Sequence, residues 1–510
     1  MSKFNTSTST MSEVLNHPDV TTNHEGGVAF NIVDAREKLY TMVASSFMNE
    51  DLFYVDGKTH DNEIKSLILQ VAKEDPKFIL QLAQYCRKEL YLRSVPVCLL
   101  GYAAREITTK QFVREYTPKI INRPDEITEV LQFYKSYFIP KVNAKHTFPA
   151  SLKKGVAASF KKFDEYSLAK YNTSKTMKLR DALRIVVGHL NEKNEERRGL
   201  YQKILDNKLA LSTEDTWEAK ISTGSTKENW EEILHSGKMG VFAVTRNLRN
   251  LLENQVDMTP AIVMLSSPKM IASSKMYPFR FYTAYKAVNQ ITITHPQKQQ
   301  VLDALRTAID LSVENLPKMA GKTFISVDLS GSMSSSVSNM SDFTRRELGG
   351  LMGSLATKFS DEYIVSAFGD RFALADVSKK DSTITNTEKL LRTRVGQSTN
   401  GHLTIKYLLD NNIKVDRIML FTDEEMYNKA SLYGDRDAKP ISALLKDYKR
   451  TVNPNVHTYV FNLAGSGKTV FPRDEKNVVL IGGFSDKIFQ FVNLYEKDKE
   501  SIINYIKNTY

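Results

Sequence analysis

Apolar positions recur at helical spacing over most of the first three hundred residues. Ile64, Leu67, Ile68, Val71 and Ala72 fall at i, i+3, i+4, i+7 and i+8, and after Asp75-Pro76 the pattern restarts with Phe78, Ile79, Leu82 and Ala83. Pro96, Pro118, Pro124, Pro140 and Pro149 punctuate further segments of ten to twenty residues. Ahead of this stretch, Thr6 to Thr10 and Asn23-His-Glu-Gly-Gly27 are polar and Gly-bounded, and residues 1–25 read as a loose arm.

Paired helices joined by short, Pro-marked turns predict a stacked array of the HEAT kind over 26–320, although an irregular helical domain would carry the same local pattern. Near residue 321 the periodicity changes. Thr323-Phe-Ile-Ser-Val-Asp-Leu-Ser330 is a β-branched run, and further strands are predicted at Tyr363–Phe368, Phe372–Val377, Arg417–Thr422, Val456–Leu463 and Asn477–Gly482. Helices are predicted between them at about 340–358, 401–411, 437–449 and 486–496. Alternation at this spacing means parallel crossovers, so 321–510 is expected to be an α/β doubly wound sheet with its ligands at the carboxyl ends of the strands.

The composition of the 510 residues, 41% hydrophobic and 25% charged, is that of a globular protein with a large core. Two cysteines, Cys86 and Cys98, are too few for a disulfide scaffold and sit in apolar helical contexts, which suits a reducing, cytoplasmic compartment. No apolar run reaches the ~20 residues of a membrane span, and Met-Ser-Lys-Phe-Asn-Thr-Ser lacks the apolar core of a secretory signal.

Charge changes this picture. The net +11 is uneven: residues 131–180 hold eleven Lys and Arg against Asp164 and Glu165 alone, and a looser excess runs from Lys238 to Lys298. A block this one-sided points to a polyanion partner. Its candidate phosphate contacts are Lys153, Lys154, Lys161, Lys162, Lys170, Lys175, Lys178, Arg180 and Arg184. Lys154, Lys161 and Lys162 at i, i+7 and i+8 would share one helix face, opposite Val156, Ala157 and Phe160. Arg246 and Arg249, at i and i+3, are further candidates, equally placed for a structural role at helix ends.

The sharpest motif is Asp328-Leu-Ser330-Gly-Ser332, a carboxylate and two hydroxyls where the first strand ends. Thr399, in Gly396-Gln-Ser-Thr-Asn-Gly401, and Asp423, closing Ile418-Met-Leu-Phe-Thr-Asp, add oxygen donors at later strand ends. Such donors suit a hard divalent cation, Mg²⁺ or a similar ion. By contrast, Ala464-Gly-Ser-Gly-Lys-Thr469 is no phosphate loop: Asn462 stands where a Gly is required, and Val470-Phe-Pro-Arg473 does not begin a helix. The scattered histidines offer no zinc or catalytic constellation, and no enzymatic activity is expected.

With its hydroxyl and carboxylate donors in order, the second half resembles the von Willebrand factor A fold with a metal-ion-dependent adhesion site. That resemblance implies Ser330, Ser332 and Thr399 as direct ligands, Asp328 and Asp423 acting mainly through water, and a coordination position left for an acidic group of a protein partner. The whole chain from about residue 25 to 500 resembles the Ro ribonucleoprotein family, with its TROVE domain. The motifs are Leu80-Gln-Leu-Ala-Gln-Tyr-Cys-Arg-Lys-Glu-Leu-Tyr-Leu-Arg-Ser94, Leu152-Lys-Lys-Gly155, Phe163-Asp-Glu-Tyr-Ser-Leu-Ala-Lys-Tyr171, Lys178-Leu-Arg-Asp-Ala-Leu-Arg184, Thr216-Trp-Glu, Gly240-Val-Phe-Ala-Val-Thr-Arg-Asn-Leu-Arg-Asn250 and Pro278-Phe-Arg-Phe-Tyr-Thr-Ala-Tyr285.

The resemblance implies a closed ring of HEAT-like repeats, monomeric, with the A-type domain attached. It implies small Y-like noncoding RNA on a basic outer face, single-stranded 3′ ends of misfolded or decaying RNA in the ring cavity, and a role in RNA quality control, in some cases with an exoribonuclease. Leu179 stands where family members often have His, so no histidine contact to RNA is expected there. Tyr166, Tyr171, Tyr282 and Tyr285 could stack bases, though core roles suit them better. The competing reading is a metal-dependent protein-adhesion scaffold that binds no RNA.

Overall fold

The structure, a computed structural model, describes residues 9–45, 57–139, 147–172, 176–209, 217, 220–221, 224–237, 239–316, 318–337, 343–427, 439–465, 467–483, 488–498 and 500–510. Packing divides the chain into two compact units, one formed by 1–60 and 225–501 and the other by 61–224 and 502–510.

Among its described residues the second unit is built of helices. Phe78–Lys88, Ser94–Arg105, Lys110–Ile120 and Pro124–Phe138 follow one another with short turns, and Ala150–Phe160 comes next along the chain. The prolines fall where the backbone tolerates them: Pro124 opens its helix, Pro149 precedes one, and Pro118 lies in a last turn. Pro140 lies outside the described residues. Gly155 lets Ala150–Phe160 approach Lys110–Ile120 closely, since a Cβ there would stand 2.5 Å from Thr117 Cβ. The chain's last helix, Ile502–Thr509, belongs to this unit and not to the α/β part. Lys507 Nζ lies 2.7 Å from Asp75 Oδ2, and Tyr116 donates its hydroxyl proton to the Tyr510 carbonyl.

The first unit is built on a six-stranded sheet in the order β5-β4-β3-β6-β7-β9. Its strands are β3 Met319–Asp328, β4 Ser360–Phe368, β5 Phe372–Leu374, β6 Arg417–Thr422, β7 His457–Asn462 and β9 Val478–Gly482; a short β8, Lys468–Thr469, lies apart. All pairs are parallel except β4 with β5. Helices cover both faces, as a parallel sheet requires. Phe324, Leu420, Val460 and Leu480 face His402–Asp410 and Ile441–Thr451, whereas Val327 faces Arg345–Phe359 across Gly349 and Gly353. The chain runs from β3 to β4 on one side and later reaches β6 on the other, so the topological switch lies at the carboxyl ends of β3 and β6.

Packing continues across the change of pattern near residue 321. Lys286 pairs with Glu347 at 2.7 Å, and Asp310 accepts bonds from the backbone N–H and hydroxyl of Thr383. The loose arm expected for residues 1–25 is corrected for its described part. Thr10–Leu15 is a helix, and β1 Val20–Thr22 pairs with β2 Val28–Asn31, which pairs in turn with β8. Val14 and Phe30 are buried with Ala443 in a small apolar cluster, which accounts for the order of so polar a segment.

Candidate functional site

The five oxygen donors predicted from sequence lie on three loops at the switch point, and hydrogen bonds tie those loops together. Asp328 ends β3; its Oδ1 accepts from Ser330 N at 2.9 Å, and its Oδ2 accepts from the Thr422 hydroxyl at 2.7 Å. The Ser330 and Ser332 hydroxyl oxygens are 3.3 Å apart. Gly331 N donates to the Gln397 carbonyl at 2.8 Å, joining this turn to the loop that carries Thr399. Tyr427 N donates to the Thr399 carbonyl, joining that loop to the one that carries Asp423. The 396–398 bend is pinned by Asp370, whose carboxylate accepts from Ser398 N at 2.7 Å.

All five side chains are buried. Asp423 Oδ1 accepts from Glu425 N, but its Oδ2 is buried with no hydrogen-bond partner. Burial, and secondarily the charge of Asp423, push the Asp328 carboxyl up to about 7. Burial likewise raises Asp423, against the opposing pull of the Ser332 hydroxyl and the charge of Arg345. Two buried carboxylates with one orphaned oxygen form an environment short of positive charge. A small divalent cation with oxygen preference fits that donor set, two carboxylates and three hydroxyls. Among the described residues no group of three or more His, Cys, Asp or Glu could hold a metal, and the five donors here are two carboxylates and three hydroxyls.

The residues after Asp423 hold it in place, and sequence reasoning missed them. Glu424 takes the left-handed conformation, φ 64°, which strains a non-glycine residue. Its buried carboxylate accepts from Asn462 Nδ2 at 2.7 Å and from Val470 N at 3.1 Å, locking the bend. Burial pushes this carboxyl up to about 7. From the N-terminal segment, Asn23 Nδ2 donates to the Met426 carbonyl at 2.7 Å, and the His24 backbone N–H donates to Glu425 at 2.8 Å. The Asp-Glu-Glu run could have flagged this loop, but Asn462 and Val470 lie 38 and 46 positions from Glu424, and His24 and Asn23 lie 401 and 403 positions from Glu425 and Met426.

The basic candidates belong to the helical unit, apart from Arg246 and Arg249. Lys154 is exposed and Lys153 half-buried on Ala150–Phe160. Lys161 and Lys162 do not continue that face, because the helix ends at Phe160. Lys161 lies 3.5 Å from Glu192, while Lys162 donates to the Pro118 and Ile121 carbonyls at the end of Lys110–Ile120. Its ammonium thus satisfies acceptors that a helix end leaves open, and burial lowers its pKa.

Lys170 lies over the Tyr166 and Tyr171 rings at 5.7 and 5.8 Å. Lys178 and Arg184 are exposed and Arg180 is half-buried with its Nε unpaired, all on or beside Leu179–Val186; Lys175 lies outside the described residues. Leu179 is core. Arg246 and Arg249 are exposed on Val241–Glu253, with Arg249 Nε 2.7 Å from Glu253. Tyr282 and Tyr285 are buried, as core residues should be.

Among solved structures, the crystal structure of the Deinococcus radiodurans Ro (RSR) protein is similar in fold, with a TM-score of 0.61 at 16% identity over 90% of this chain and 99% of that one. Curated relatives include telomerase protein component 1 of mouse, 23% identical over half of this chain, and of rat, 23% identical over 43% of it. Those matches span only 13% and 11% of the mouse and rat proteins. The TROVE domain matches residues 21–208 and 202–303, more than half of the chain, and the Ro60 vWA domain matches 322–495. A mainly helical region followed by an α/β A-type domain, matched in that order by these two descriptions, places the chain in the Ro family of TROVE-domain proteins, a family of RNA-binding proteins.

Proposed function

We propose that the chain is a non-catalytic RNA-binding protein that takes small structured, Y-like RNA on the basic surface around Lys153, Lys154, Lys161, Lys178 and Arg184. It also receives single-stranded 3′ ends of misfolded or decaying RNA and acts in cytoplasmic RNA quality control, in concert with an exoribonuclease. The observation that carries this reading is the charge block of 131–180, eleven Lys and Arg against Asp164 and Glu165, with Lys154, Lys161 and Lys178 exposed. Lys and Arg so clustered neutralise backbone phosphates, and affinity then depends steeply on salt. Lys162 is left out of the contact set, since its ammonium is engaged by carbonyls.

In the same proposal Ser330, Ser332 and Thr399 would hold Mg²⁺ directly in the A-type domain, and Asp328 and Asp423 would act mainly through water. The cation supplies a Lewis-acidic position for a carboxylate of a protein partner. The buried, unpartnered Asp423 Oδ2 supports it. No helix among the described residues is long and apolar enough to cross a membrane. The test is to crosslink RNA to the protein in its own cells and sequence it. Enrichment of structured noncoding RNA with frayed 3′ ends is expected. Recovery of no RNA, together with Mg²⁺-dependent capture of a protein, favours the adhesion-scaffold reading instead.

A further inference from the structure

Asn23 stands in the turn that joins β1 to β2, in the same compact unit as the cation donors. It is buried, and its side-chain amide faces the loop after Asp423. Nδ2 donates to the Met426 carbonyl at 2.7 Å and to the Glu424 carbonyl at 3.4 Å. Each of these carbonyls belongs to a peptide group whose other end serves the site. The N–H that shares a peptide with the Glu424 carbonyl is that of Glu425, and it donates to Asp423 Oδ1 at 3.1 Å. The N–H that shares a peptide with the Met426 carbonyl is that of Tyr427, and it donates to the Thr399 carbonyl at 2.8 Å. A trans peptide points its C=O and N–H to opposite sides, and no cis bond occurs among the described residues. One amide on the outer side therefore sets the tilt of two peptide planes, whose inner sides hold Asp423 and the Thr399 loop.

The hairpin keeps that amide still. Asn23 Oδ1 accepts from Gly27 N at 2.8 Å, and Asn23 N donates to the Gly27 carbonyl at 3.0 Å. Gly26, at φ 77°, supplies the left-handed residue of the turn. Lys468 Nζ donates to the Thr22 carbonyl at 2.7 Å, and β2 pairs with β8, so the turn is anchored on both flanks. Val470, directly after β8, donates its N–H to Glu424, which closes the circuit from hairpin to loop. The Met426 side chain meets the turn after Thr399, where Gly401 has no room for a Cβ against its Sδ. Asn23 carries no charge, so it acts on the donors by orientation alone.

We propose that Asn23 is a positioning residue for the divalent cation, fixing the two peptide groups that hold Asp423 and Thr399 in place. The inference rests on the cation-site reading above and extends that site to the N-terminal hairpin. Groups that orient metal ligands without touching the metal are typically worth about 10–100-fold in metal affinity. Mg²⁺ tolerates little departure from octahedral coordination, whereas Ca²⁺ accepts looser and more variable donor sets. Loosening this loop should therefore cost Mg²⁺ affinity more than Ca²⁺ affinity.

The test titrates Mg²⁺ and Ca²⁺ separately into the full-length protein by calorimetry, below its thermal transition. Asn23→Ala removes the amide, and Asn23→Ser is the milder change, a hydroxyl that can still serve the turn but is too short for Met426. Val456→Ala is the control, a buried residue just before β7, at the end of the sheet opposite the cation donors. Both Asn23 variants are expected to weaken Mg²⁺ by about tenfold and Ca²⁺ by less, with the number of sites unchanged, while Val456→Ala binds both ions as wild type. Wild-type Mg²⁺ affinity in the Asn23 variants overturns the inference. An equal loss in Val456→Ala makes the effect one of general stability and also overturns it, as does an equal loss of both ions in Asn23→Ser. If wild type binds Mg²⁺, Asp423→Asn does not and the Asn23 variants bind normally, the cation site stands and only the Asn23 assignment falls. A wild-type protein that takes up neither ion overturns both readings.

Discussion

Thr422 donates a 2.7 Å hydrogen bond from its hydroxyl to Asp328 Oδ2, so the last residue of β6 orients the last residue of β3. Both are fully buried. The bond fixes one carboxylate oxygen by its neighbour strand and the other by Ser330 N, and the Asp328 side chain is held before any ligand arrives.

The cation site makes the first prediction. Millimolar Mg²⁺ is expected to stabilise the wild-type A-type part, by about 2.7 kcal/mol at one hundred times Kd, and so to raise its melting temperature. Asp423→Asn relieves the like-charge burial and removes a donor. It should melt no lower than wild type without Mg²⁺ and show no Mg²⁺-dependent rise in scanning calorimetry. An unchanged rise in Asp423→Asn contradicts the site.

Lys162 separates structure from binding. Its two carbonyl bonds close the last turn of Lys110–Ile120, each such bond being worth roughly 1 kcal/mol. Lys162→Met should lower the denaturant midpoint of the helical unit while RNA affinity, measured below the transition, stays within about twofold. A variant that melts as wild type but binds RNA poorly would make Lys162 a phosphate contact after all.

Arg417, the first residue of β6, is a buried ionic anchor. It makes Nε and Nη2 bonds to Glu496 at 2.7 and 2.5 Å, and Nη1 bonds to the Ala320 carbonyl and Thr323 hydroxyl. Arg417→Met leaves Glu496 and those acceptors without their cation, and about 3–5 kcal/mol of stability should be lost in urea unfolding. Arg392→Met, an exposed i,i+4 pair with Glu388, should cost less than about 1 kcal/mol.

The thiols give a pH-dependent expectation. Burial, aided by Asp61, pushes Cys98 up to about 12, and burial raises Cys86 further. A raised thiol pKa leaves almost no thiolate near neutral pH, so native protein should resist iodoacetamide at about pH 8 and alkylate fully in denaturant. Rapid native alkylation would mean that the helical unit opens readily.

How far the sequence alone reached is set by the range of the interactions involved. β6 was legible to the residue, Arg417–Thr422, because a continuous apolar run bounded by polar residues marks a buried parallel strand. The meeting of Asp328, Ser330, Ser332, Thr399 and Asp423 at the switch point was legible because motif and strand end coincide. The pairing of Val20–Thr22 with Val28–Asn31 and of that strand with Lys468–Thr469 was not, since two to four residues carry no period and the last partner lies far along the chain. The helix Thr383–Leu391 was missed for its β-branched start, Thr-Ile-Thr, which the capping hydroxyl of Ser382 and burial against Arg345–Phe359 override. Lys162 read as a surface charge, because nothing local reveals the carbonyls of a helix end some forty residues earlier that accept its protons.

The most direct measurement is RNA affinity against salt for the wild-type chain and a variant carrying Lys153→Glu, Lys154→Glu and Lys161→Glu, with Lys162 kept to hold the fold. With a structured RNA, the account predicts an unchanged melting temperature, affinity lost by at least about a hundredfold, and a log–log salt slope flatter by roughly one unit per contact removed. Wild-type affinity and slope in that variant would contradict it.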